Sequence, residues 1–69
     1  MRQLTLEEIE ILSNRAGVKK IAVENFLMRL NNNSSKETAI LNLIYDTKVY
    51  NWGESTVQAI MDGIMLAGE

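Results

Sequence analysis

Residues 12–27 read LSNRAGVKKIAVENFL, and this stretch decides the fold that the sequence predicts. Apolar residues recur at helical spacing on both sides of the turn at 16–18. Gly17 suits the left-handed conformation that closes a helix. A new apolar periodic run begins directly after it. The stretch therefore predicts one helix that ends at Gly17 and a second helix that starts at once.

The rest of the chain carries two further helical patterns, and no proline interrupts any of them. Three segments match the capping box, in which a Ser or Thr side chain and a Glu or Gln three residues later bond each other's backbone amides. Their predicted N-caps are Thr5, Ser34 and Ser55. The asparagines at 31–33 predict a break, because their side chains compete with the helical backbone for hydrogen bonds.

These signals predict an all-α fold, a compact four-helix domain that covers residues 1–69. The first three helices are expected to form a three-helix core, to which a C-terminal helix is added. The predicted helices lie at residues 6–15, 19–31, 35–50 and 56–67.

Composition excludes several classes of chemistry. The chain has no cysteine and no histidine, so disulfides, thiolate metal sites and imidazole catalysis are absent. No phosphate-binding glycine loop and no spaced carboxylate pair is present, so we expect no enzyme activity, no cofactor, no metal and no small-molecule substrate. No apolar run approaches the roughly 20 residues that span a bilayer, and a cytoplasmic protein without membrane contact is expected.

Residues 6–44 resemble a ubiquitin-associated (UBA)-like domain, a three-helix module. Gly17-Val18 resembles the family's turn, Phe26-Leu27 its apolar pair, and the asparagines at 31–33 its loop. Residues 39–43, AILNL, resemble the family's third helix. The resemblance implies an apolar binding patch around the turn and the third helix, which maps onto Val18 and residues 41–44.

Residues 12–27 also resemble the helix-turn-helix of DNA-binding proteins. The matching apolar and small positions are Leu12, Ser13, Ala16, Val18, Val23 and Phe26. In that arrangement the helix at 19–31 would enter the major groove of DNA. The resemblance implies DNA contacts from Lys19, Lys20, Asn25 and Arg29.

The predicted helices carry more apolar surface than one core of this size can bury. The third helix is apolar nearly all round, and Ile21 and Met28 lie outside the apolar arc of the second. A large exposed apolar surface usually marks an interaction site. We therefore expect a protein partner, or self-association into a homo-oligomer, with DNA as the alternative partner. The predicted partner-binding residues are Val18, Ile21, Met28, Leu41 and Ile44.

Overall fold

A computed structural model describes residues 1–28 and 35–68 of the chain. These residues form four α-helices, and the all-α prediction is confirmed. The helices are α1 (Leu6–Ala16), α2 (Lys20–Leu27), α3 (Lys36–Tyr50) and α4 (Glu54–Ala67). The third and fourth predicted helices match α3 and α4 to within two residues. Helix α2 begins one residue later than predicted and ends at Leu27, with Met28 as its C-cap residue, where the prediction continues the helix. Residues 29–31 of that predicted helix, and the predicted break at 31–33, lie outside the described residues.

The C-terminal helix α4 is the centre of the packing, since it contacts each of the other three helices. Its buried side is lined by small and branched residues, namely Ala59, Ile60, Gly63, Ile64 and Ala67. This arrangement differs from the expected three-helix core with an added helix. The physical reason is that α4 presents small side chains, which let neighbouring helices come close. As a result, α3 packs mainly on α4, and the rest of its surface stays uncovered.

Capping at the start of α1 follows the prediction. The Thr5 hydroxyl accepts a hydrogen bond from the Glu8 amide at 3.1 Å, and the Glu8 carboxylate accepts one from the Thr5 amide at 3.0 Å. Leu4, just before the cap, and Ile9, in the second turn, are both buried in the core, as a hydrophobic staple requires. The local sequence alone therefore determines where α1 begins.

The two other predicted N-caps are wrong in register. Helix α3 is capped by Ser35, whose hydroxyl accepts from the Thr38 amide at 3.1 Å. Helix α4 is capped by Gly53 without a side-chain hydrogen bond, and Ser55 lies inside its first turn. The Gly53 carbonyl already accepts from the Val57 amide, and the Glu54 carboxylate favours the positive N-terminal end of the helix. These two interactions start α4 two residues earlier than predicted.

Within residues 1–28 and 35–68, two left-handed residues turn the chain between helices. Gly17 has φ +69° and ends α1, as predicted, and the Val18 amide donates back to the Ser13 carbonyl at 3.0 Å. Asn51 has φ +53° and ends α3. Asparagine tolerates this conformation better than most residues. The turn at Asn51 places Trp52 against the core, and this position shapes the candidate site.

Candidate functional site

An apolar groove of about 690 Å³ lies between α2 and the loop that joins α3 to α4. We call it the aromatic groove, after the two aromatic rings that line it. Its residues are Ile21, Ala22, Glu24, Asn25, Met28, Tyr50 and Trp52. Glu24 is the only charged side chain among these seven. Binding cavities are typically of this size and have this character, mostly apolar with a few polar groups.

The indole of Trp52 connects the groove to the core. Its ring meets Phe26 edge-on, with centroids 6.0 Å apart and an interplanar angle of 81°. The same ring stacks on Tyr50, with centroids 5.5 Å apart and an angle of 21°. Offset stacking and edge-to-face contacts are the favoured aromatic geometries. Because Phe26 is buried and holds Trp52 in place, the two stacked rings form a preordered wall of the groove.

Sequence reasoning identified part of this groove. Ile21 and Met28, both predicted to bind a partner, line it, and both are exposed. Tyr50 and Trp52, which also line it, are not among the partner-binding residues that the sequence predicts. The ring of Trp52 packs on Phe26 and is partly buried against the core, so it both covers the core and lines the groove. A signal for the groove was present in the Tyr-Asn-Trp order at 50–52, since an Asn between two aromatics can turn the chain.

The other predicted partner-binding residues lie elsewhere. Val18 is half-buried and packs against the core, so much of its surface is already used. Leu41 and Ile44 are exposed on α3 and do not line the groove. On α4, Leu66 packs against the core, whereas Met65 is exposed. The predicted patch is therefore divided between the groove and the outer face of α3.

The residues predicted to contact DNA present a mixed surface. Lys19 and Asn25 are exposed, and Lys19 is the N-cap residue of α2. The ammonium of Lys20 lies 3.9 Å from the Glu10 carboxylate of α1, which offsets part of its charge. Arg29 lies outside the described residues. Asn25 lines the aromatic groove beside apolar side chains. The described residues of this set include two cations, one of which is paired, and together these make a weak electrostatic footprint.

Other kinds of site find no support in the described part of the chain. No group of three or more carboxylates is placed to hold a metal ion there. The buried Ser13 hydroxyl donates to the Ile9 carbonyl at 2.8 Å, an ordinary bond within a helix. None of the helices in residues 1–28 and 35–68 combines the length and the apolar composition needed to cross a bilayer.

Three comparisons with known proteins add no assignment to this geometry. The chain matches no protein-family model, no curated protein and no solved structure. The function is therefore argued from the residues of the aromatic groove and of the helix surfaces around it.

Proposed function

We propose that this chain is a small non-enzymatic interaction module, which binds a protein partner through the aromatic groove. The observation that supports the proposal is the stacked Tyr50–Trp52 pair beside the exposed side chains of Ile21 and Met28. Rings that are already held in place lose little conformational freedom when a partner binds, and aromatic side chains dominate interface energetics. Methionine adds an adaptable apolar surface to the rim.

The lining of the groove favours a particular kind of partner. Its apolar walls fit one or two large apolar side chains, such as those that an amphipathic helix projects from one face. Glu24 supplies the only charge among the seven described residues that line the groove, so a Lys or Arg next to the apolar anchor would complement it. The proposed ligand is therefore an amphipathic segment with an apolar anchor and a neighbouring cation. The resemblance of residues 6–44 to UBA-like domains supports the same class of function.

Selection from random peptides tests this proposal, because the chain contains one tryptophan and it lies in the groove. A phage library of random linear peptides is selected on the full chain. The enriched peptides are then titrated while the fluorescence of Trp52 is recorded. We expect enrichment of apolar anchors with an adjoining Lys or Arg, and a change in fluorescence on binding.

Two variants distinguish groove binding from other binding. Ile21→Glu should weaken binding of the selected peptides by roughly tenfold or more, because it places a charge in the apolar wall that a bound apolar anchor would cover. Ile11→Glu is the matched control, because Ile11 is also an exposed isoleucine but lies on α1 and does not line the groove. Peptides that bind wild type and Ile21→Glu equally well would refute the proposal.

DNA binding is the weaker alternative. It is supported by the helix-turn-helix resemblance of residues 12–27 and by the exposure of Lys19. The Lys20–Glu10 pair and the apolar groove on the same helix both favour a protein partner. The two partners are distinguished by salt, because binding to DNA weakens as the salt concentration rises.

A further inference from the structure

The outward face of α3 is apolar in its middle and charged at both ends. Leu41 and Ile44 are 66% and 50% exposed. Glu37 precedes them and Lys48 follows them on the same helix, and both are exposed. The opposite side of α3 is buried, and α4 covers it. The outward face is thus left without a neighbour among the described residues.

The spacing of these four residues places them in one stripe, which we call the α3 stripe: Glu37, Leu41, Ile44 and Lys48. Successive members are separated by four, three and four positions. At about 100° per residue they fall within an arc of roughly 60°. This is the spacing by which one helix packs along another in a coiled coil. Tyr45 and Val49 flank the stripe, and both are exposed.

The α3 stripe is complementary to itself when reversed. Its pattern is symmetric about the point between residues 42 and 43. An antiparallel second copy therefore places its Ile44 opposite Leu41, and its Lys48 opposite Glu37. A two-fold axis repeats each contact, so two apolar layers and two opposite-charge pairs form together. A parallel copy in register would instead place Glu37 against Glu37 and Lys48 against Lys48, which is repulsive.

We propose that α3 pairs antiparallel with α3 of a second copy of this chain, through the α3 stripe, to form a two-fold dimer. This surface is separate from the aromatic groove, so the dimer leaves the groove open. Neither Glu37 nor Lys48 forms an ion pair with another described residue of its own chain, so both charges are available to the second copy. One helical stripe is smaller than a standard interface of roughly 800 Å² per partner, and we expect a dissociation constant in roughly the micromolar range.

Sedimentation equilibrium of the full chain over a wide concentration range tests the apolar part of the stripe. Wild type should convert from monomer to dimer as its concentration rises. Leu41→Ser should remain monomeric at concentrations roughly tenfold above the wild-type midpoint, with an unchanged helical circular dichroism spectrum. The matched control is Leu6→Ser, which removes a 52% exposed leucine from α1 and should dimerise like wild type.

Charge reversal tests the antiparallel register. Glu37→Lys leaves both ends of the stripe positive, and Lys48→Glu leaves both ends negative, so each variant alone should dimerise roughly tenfold more weakly. An equimolar mixture of the two should restore dimerisation as a heterodimer. The double variant E37K/K48E should restore the homodimer, because both opposite-charge pairs return with their signs exchanged.

The outcomes separate this proposal from groove binding. A wild-type chain that stays monomeric up to about 1 mM, the weak end of specific association, would overturn the dimer. A dimer that Leu41→Ser leaves intact, or that shows no recovery in the mixture of charge variants, would overturn the antiparallel α3 pairing. Ile21→Glu should not change dimerisation, whereas it should weaken peptide binding in the groove. Each proposal can therefore fail while the other stands.

Discussion

At Gly63, the backbone of α4 lies close to leucine side chains of α1 and α2. A Cβ on Gly63 would lie 2.6 Å from Leu27 Cδ1 and 3.4 Å from Leu12 Cδ1. Carbon atoms pack favourably at about 3.5–4.0 Å, so the first distance is a clash. Leu27 is buried and held by its neighbours, and it cannot move away freely. The close approach therefore depends on the missing side chain.

Gly63→Ala should lower the free energy of unfolding by up to about 2 kcal/mol. Overpacking a core costs about 1–3 kcal/mol, whereas replacing a helical glycine by alanine gains about 1 kcal/mol. In a Leu27→Ala background the clash disappears, and the same substitution should be neutral or stabilising. Urea denaturation of wild type, Gly63→Ala, Leu27→Ala and the double variant measures whether the effect of Gly63→Ala on stability changes sign. An equal loss in both backgrounds would show that Leu27 is not the obstacle.

The Glu8 carboxylate is held in its charged form by Arg2 and by the cap of α1. It accepts two hydrogen bonds from the Arg2 guanidinium, at 2.9 and 2.7 Å, and one from the Thr5 amide. Principally through Arg2, these bonds lower the pKa of Glu8 from its ordinary 4.5 to about 2. A lowered pKa means that the folded state stabilises the charged form. This contribution is fully present above pH 4.5 and is lost as the pH falls through about 2.

Glu8→Gln should therefore destabilise the protein at pH 7, and its difference from wild type should shrink between pH 4.5 and 2. The effect should be modest, because the pair is accessible to solvent and salt screens it. Denaturant unfolding at a series of pH values measures the difference. Glu7→Gln is the control, since it removes a carboxylate from the same turn and keeps the Arg2–Glu8 pair. A constant difference across this range would contradict the assignment.

At the scale of the helices, the N-caps differ in whether a local side-chain hydrogen bond fixes where the helix begins. Thr5 caps α1 through its side chain, while Ser55 lies inside the first turn of α4 and is exposed. Thr5→Ala should cost about 0.5–2 kcal/mol of stability, the usual range for a lost cap. Ser55→Ala should stay within about 0.5 kcal/mol of wild type, as exposed substitutions usually do.

Thermal or urea unfolding of these two variants checks the assignment of both caps. Ser35→Ala provides the internal comparison, because Ser35 is the side-chain cap of α3 and should behave like Thr5→Ala. If Ser55→Ala cost as much as Thr5→Ala, Ser55 rather than Gly53 would be the N-cap of α4.

At the scale of the whole molecule, charge favours a protein partner over DNA. The chain has seven basic and nine acidic residues, a net charge of −2, so the molecule as a whole does not attract a polyanion. We expect its affinity for a random-sequence duplex to be weaker than the roughly 1–100 μM typical of nonspecific DNA-binding proteins. Fluorescence anisotropy with a labelled duplex at several salt concentrations measures this affinity.

A salt-sensitive affinity for the DNA duplex would support DNA binding, the alternative function. The double variant K19A/K20A then becomes the decisive comparison, since losing phosphate contacts flattens the salt dependence. If the variant flattened the dependence, α2 would be the DNA-binding element. If salt-sensitive binding persisted unchanged in the variant, the contacts would come from elsewhere on the molecule.

The sequence by itself determined the features that depend on neighbouring residues along the chain. The Thr5–Glu8 capping box, the left-handed Gly17 and the four helices all follow from hydrogen bonds or backbone preferences within a few positions. Such signals act over about one helical turn, so they can be recognised in the sequence without knowledge of the tertiary structure. The same short range explains why the N-caps predicted at Ser34 and Ser55 are wrong. At both sites a nearby residue can also begin the helix.

Only the tertiary structure decided which helix faces are covered. Periodicity marked Ile21 and Met28 as outside the core arc, but only the packing of the 50–52 turn against α2 joined them to Tyr50 and Trp52. The central position of α4 depends on Gly63 meeting Leu27, 36 positions away in sequence. Helix α4 covers the side of α3 that carries Leu43, whereas the side that carries Leu41 and Ile44 remains exposed. Contacts between distant residues select one arrangement among several that the same apolar pattern allows, and this selection places the groove and the α3 stripe on separate surfaces.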